Sequence, residues 1–165
     1  MKALKKILFQ EYGGFADKRI KNLDKGDKFI VDDRDDSDYG ADGKLFSYFC
    51  MLFVDVISNE KVTVELVGNI PIGKEVRKWL TKHKYKIESR TRQSFLSINI
   101  KKGHQEHLIE LADAIKSIVA PGASRYSVKS YKYVCSRTAR SLYKLKDVLD
   151  KAWVKPLSTE LKSLF

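Results

Sequence analysis

Arg125, Lys129, Lys132, Arg137, Arg140, Lys144, Lys151 and Lys155 recur between Ser124 and Lys155 at steps that a helix brings to one side. At roughly 100° per residue they fall within less than half of the circumference. Tyr133 and Tyr143 project onto the same side, and Asp147 and Asp150 are expected away from its centre. A rod with ammonium and guanidinium groups along one face and rings among them suits a polyphosphate backbone and unpaired bases. On this reading Arg125, Lys129, Lys132, Arg137, Arg140 and Lys144 contact phosphate, and Tyr133 stacks on a base. Lys78, Lys82, Arg90 and Arg92 supply secondary contacts. The competing reading is a solvated helix face, the ordinary fate of a charge run.

Other residues invite chemistry less well. Asp36-Ser37-Asp38-Tyr39-Gly40-Ala41-Asp42-Gly43 is rich in the hard oxygen ligands that calcium takes, but the order fails the EF-hand pattern. With the turn glycine at Gly43, Gly40 holds a ligand position and Phe49 the bidentate acidic one. A solvated loop, or a lid over the basic surface, is the expectation there. His104 and His107 are three apart with Glu106 between them, a spacing that matches neither zinc-protease helix motif. A polar helix start explains them. Asp55, Glu60 and Glu65 on the central hairpin leave room for a magnesium-dependent nuclease, since such enzymes gather carboxylates. No glycine-rich phosphate loop, nucleophile elbow or CxxC pair occurs. No metal and no cofactor are expected.

The whole chain supports the electrostatic reading. Its 32 Lys and Arg against 21 Asp and Glu leave a formal charge of +11 over 165 residues, with a pI near 9.6. Such a balance attracts nucleic acid, anionic membrane surfaces or acidic proteins. Cys50 and Cys135 both sit in apolar patterns and read as reduced core residues. The N-terminal Met1 to Phe9 is too short in apolar residues for a signal peptide, and the run Tyr48 to Val54 is too short to span a membrane. A cytoplasmic or nucleoid-associated protein is expected.

The elements that must position these residues follow from periodicity. A first helix carries Leu4, Ile7 and Leu8 and ends by Gly13-Gly14. A short strand, Phe29 to Val31, precedes an acidic loop over 32–44. Leu45 to Ile57 reads as a long central strand and Val62 to Val67 as its hairpin partner. A helix over 74–82, two strands around Tyr85–Ile87 and Leu96–Ile100 with Arg90 to Gln93 as a basic tip, and a helix over 105–119 come next. The long helix over 124–155, capped by Ser124, closes the fold, and 156–165 is a tail. The order α-β-β-β-α-β-β-α-α predicts one α+β domain over 1–165, with a core region over 45–120. It has an antiparallel sheet of about five strands, helices on one face, and a long C-terminal amphipathic helix. The expected core is Phe49, Met51, Phe53, Val64, Trp79, Ile87, Ile98, Leu108, Ile115, Leu142 and Leu149.

The segment Gly73 to Ile100 resembles the helix-strand-strand core of HicA-type toxins and other double-stranded-RNA-binding-like domains. The toxins' catalytic histidine has no counterpart among Ser89 to Ser94, so no residue role is carried over. The strands followed by a helix at Gln105 also resemble single-stranded-DNA-binding proteins of the Whirly type. The leading expectation is a non-enzymatic, weakly sequence-specific nucleic-acid binder of DNA or RNA. A protein-interaction module docking on an acidic partner is the alternative, and a metal-dependent nuclease the third.

Overall fold

The structure, a computed structural model, describes residues 2–12, 28–85, 87–92, 94–120, 122 and 124–153. The expectations for 13–27, Gln93, Pro121, Lys155 and the tail lie outside these residues. The elements run α1 (Lys2–Tyr12), β1 (Lys28–Tyr39), β2 (Leu45–Ser58), β3 (Lys61–Gly68), α2 (Ile72–Lys82), β4 (Ser89–Arg92), β5 (Phe95–Lys101), α3 (Glu106–Lys116) and α4 (Val128–Trp153). Their order is the expected one. The strands form one antiparallel sheet, β1-β2-β3-β5-β4, and the helices pack on one face.

The acidic stretch is the principal correction. Asp is a poor strand former, and composition alone reads 32–39 as loop. Instead Lys28–Tyr39 forms a twelve-residue edge strand paired along its length with β2. A bulge between Ile30 and Asp32 makes Val31 the extra residue. Phe29, opposite Val54, faces the helices before it; beyond it Asp32, Asp36 and Asp38 do, opposite Leu52, Tyr48 and Phe46. The bulge thus turns alternate aspartates toward α4. Only Gly40 to Lys44 is a turn, closed by Gly40 N–H to the Lys44 carbonyl at 2.8 Å.

The face of β2 is the second correction. Tyr48, Cys50, Leu52, Val54 and Val56 meet the helices. Met51 and Phe53 are buried on the opposite face and Phe49 is partly buried there. Trp79 is also only partly buried. Val64, Ile87, Ile98, Leu108, Ile115, Leu142 and Leu149 join the main core as expected. At roughly 1.5–3 kcal/mol for each fully buried large aliphatic side chain, the row Leu142, Leu145 and Leu149 anchors α4 by several kcal/mol. At the other end of the sheet, Arg90 and Arg92 belong to strand β4 itself and not to a hairpin tip.

Across the helix layer, α4 lies over β1 and β2, with α1 on one flank and α3 on the other; α2 packs beyond α3, over β3, β5 and β4. No described helix is long and apolar enough to cross a membrane.

Candidate nucleic-acid interface

The start of α4 is held by the β1–β2 hairpin. Tyr48 Oη donates to the Arg125 carbonyl at 2.6 Å and accepts the Ser127 N–H at 2.7 Å. The Asp42 N–H donates to the Ser124 carbonyl at 2.7 Å. Gly40 lies so close to the same segment that a Cβ there would sit 2.7 Å from the Arg125 oxygen. Ser127, and not Ser124, is the cap: its Oγ accepts the Ser130 N–H at 3.4 Å and its carbonyl accepts the Tyr131 N–H at 2.9 Å. At the far end, Trp153 Nε1 donates to the Asn59 carbonyl at 2.7 Å. The helix is therefore fixed to the sheet at both ends.

Beneath α4 runs a seam of carboxylates and hydroxyls. Ser127 Oγ donates to Asp38 at 2.7 Å. The Ser130 hydroxyl stands 3.1 Å from Asp36 and 3.2 Å from Asp38, so its one proton is shared between two acceptors. Asp32 accepts Ser141 Oγ at 3.0 Å on one oxygen and Arg137 Nη2 at 3.3 Å on the other. The Ser127 hydroxyl, with the Tyr39 N–H and Ser130 helping, holds the Asp38 carboxyl below the usual aspartate range. The aspartates that sequence reading placed in a loop or lid thus serve the inner side of the helix.

This assigns the eleven expected site residues to four places. Lys129, Lys132, Tyr133, Arg140 and Lys144 are exposed on the outer side of α4, as is Lys151. Arg125 precedes the helix and lies over the Phe46 ring, 5.0 Å from its centroid. Arg137 is corrected from the outer face to its margin. Its side chain is only 24% exposed, it reaches under the helix to Asp32, and its Nε is buried without a partner. Lys78, Lys82, Arg90 and Arg92 are exposed but belong to α2 and β4, beyond α3, so they do not extend the α4 row.

Three further side chains depart from the expected pattern. Tyr143 is half-buried, donates to Asp113 and carries Lys116 against its ring, so it bridges α4 to α3. The Asp113 bond raises the Tyr143 phenol to about 12. Val128 is exposed and not part of the buried stripe. Asp147 is exposed, three residues after Lys144 and four before Lys151, and so lies in the middle of the strip. The carboxylate-free run therefore ends near Lys144, which itself pairs with Glu11 of α1 at 2.9 Å. The Lys144 ammonium holds the Glu11 carboxyl below its usual value.

The opposite face of the sheet carries the residues of the nuclease reading. Asp55, Thr63, Glu65, Glu88, Ser89, Arg90, Ser97 and Asn99 line a cavity of about 320 Å³. Glu65 pairs there with Lys28 at 3.2 Å, both about five-sixths buried. Glu60 lies apart, in a cleft with Lys61, Lys101 and Lys102. Among the described residues no three His, Cys, Asp or Glu side chains are grouped to hold a metal ion. His104 and His107 lie with ring centroids 5.5 Å apart, and His107 and Tyr85 pack in a T-shaped pair at 5.7 Å. Burial and the neighbouring His104 lower the His107 pKa. Cys50 and Cys135 are free and buried in the core, and burial pushes both thiols up to about 12.

Set beside known proteins, the chain matches no family model, no curated protein and no solved structure.

Proposed function

We propose that the chain is a non-enzymatic nucleic-acid-binding protein whose contact surface is the outer strip of α4. The carrying observation is the separation of charge around that helix. Asp32, Asp36 and Asp38 are engaged with hydroxyls and Arg137 on the inner side, while Lys129, Lys132, Arg140 and Lys144 stand exposed on the outer side. Carboxylates bound beneath the helix do not bridge to the outer lysines, and a formal charge of +11 adds a long-range attraction for polyanions. Contacts of this kind go to phosphate and read little sequence. The test is a binding panel of single- and double-stranded DNA and RNA at low salt, with the double variant Lys132→Glu, Arg140→Glu as comparison. Binding by the wild type and its loss in a folded double variant support the proposal; no binding to any member rejects it.

A protein-interaction module is the second reading, and one observation favours it: Lys144 already pairs with the carboxylate of Glu11. The same strip could then take an acidic protein surface. Capture of a partner that survives nuclease treatment, with no affinity for the nucleic-acid panel, would select it. A divalent-metal cleavage assay addresses the nuclease reading separately.

A further inference from the structure

We infer that the strip prefers a single strand to a duplex, covers about seven nucleotides of it, and uses Tyr133 as its stacking platform; this rests on the nucleic-acid reading above. Apart from Tyr133, the tyrosines within α4 and those packed against it are committed to the fold, Tyr12 being half-buried with Lys144 over its ring. Tyr131 and Tyr126 are buried, Tyr48 ties the hairpin to the start of the helix, and Tyr143 is bonded to Asp113. Tyr133 is 40% exposed and makes no hydrogen bond or ring contact among the described residues. It lies four residues after Lys129 and seven before Arg140, so cations flank the ring along the axis on the same side.

An exposed ring between phosphate-binding cations offers a face to any base whose own face is open. In a duplex those faces are already stacked, and the ring gains nothing from it. In a single strand each base can turn out onto the ring while its neighbouring phosphates meet Lys129, Lys132 and Arg140. The strip also has a length. Lys129 to Lys144 spans ~22 Å at about 1.5 Å per residue, which at ~3.4 Å per nucleotide of a stacked strand corresponds to about seven nucleotides. Asp147 ends the strip, because a carboxylate at its centre repels the next phosphate.

The experiment is fluorescence anisotropy with labelled oligothymidylates of about 4, 8 and 16 nucleotides and a hairpin duplex, at fixed low salt. Wild type, Tyr133→Ala, Tyr133→Phe and the Lys132→Glu, Arg140→Glu variant are compared, each checked by circular dichroism. Affinity is expected to rise steeply from the shortest to the middle length and then only slightly. Tyr133→Ala should lose roughly 5- to 150-fold on single strands, the range of one base–aromatic stack, and less than about twofold on the duplex. Tyr133→Phe should keep wild-type binding. Equal loss on both substrates, no loss on either, or tighter binding to the duplex overturns this inference while leaving the strip as a phosphate surface. No wild-type binding to any probe overturns the strip reading and this inference with it.

Discussion

Arg137 of α4 reaches beneath its own helix to the carboxylate of Asp32 on β1, Nη2 to Oδ1 at 3.3 Å, with the two side chains 24% and 10% exposed. Ser141 occupies the other oxygen of Asp32. One turn of basic helix is thereby assigned to structure, while its neighbour Arg140 remains exposed. The two arginines should respond differently to charge reversal. Arg137→Glu sets two carboxylates face to face in a partly buried site and should cost about 2 kcal/mol or more. Arg140→Glu should change stability by less than ~0.5 kcal/mol. Urea denaturation of both variants measures the contrast; equal midpoints would show that the Asp32 pair contributes nothing.

Acid should loosen the seam. The folded-state pKa of Asp38 lies below its ordinary value because Ser127 donates to the ionised carboxylate. A lowered folded pKa means that the unfolded chain binds the proton first. The stabilisation is thus complete above the unfolded value near ~3.9 and is lost as pH falls through the folded pKa. Glu11, lowered by Lys144, acts in the same direction. Melting temperature should fall as pH drops below about 4, and Asp38→Asn should reduce that dependence. An unchanged acid profile in Asp38→Asn would remove Asp38 from this account.

Gly40 provides a test of the docking between the hairpin and α4. A methyl group there meets the Arg125 oxygen at 2.7 Å and the Ser124 oxygen at 3.0 Å, both backbone atoms. Gly40→Ala should therefore destabilise by about 1–3 kcal/mol, the range of overpacked sites. Among the described residues no atom comes within 4 Å of a Cβ added at Gly122, so Gly122→Ala serves as the near-neutral control. Thermal denaturation of the pair decides it. Equal stability in both would mean that the hairpin can move away from the segment before α4 at no cost.

Much of the architecture was legible in the sequence, because the helices and hairpins announce themselves by period. Val62, Val64 and Leu66 alternate, and Leu142, Leu145 and Leu149 recur at helical steps; both sets are buried. Strand β1 was not legible. Its aspartates oppose strand formation locally, and the hydroxyls that satisfy them, on Ser127, Ser130 and Ser141, lie about 90 to 110 residues away. The buried face of β2 was ambiguous for a different reason. Both Tyr48, Cys50, Leu52 and Phe49, Met51, Phe53 are apolar, so period two gives no preference. The exposure of Lys129, Lys132, Tyr133, Arg140 and Lys144 on one side of α4 followed from helical projection alone. Arg137 could not be separated from them, because its partner lies on a strand that composition disguises. Asp147 was open to detection, since it stands three and four residues from Lys144 and Lys151.

The salt dependence of binding tests the central claim most directly, because only charge neutralisation makes affinity fall linearly in log salt. If Lys129, Lys132, Arg140 and Lys144 each neutralise one phosphate, the slope of log K against log salt on a single strand should be roughly −2.8, at about 0.7 per contact. The Lys132→Glu, Arg140→Glu variant should flatten it to about −1.4 or less and weaken every sequence alike, with its fold unchanged. A slope near zero in the wild type, or an unaltered slope and affinity in the folded double variant, would contradict the assignment of the outer face of α4 to nucleic acid.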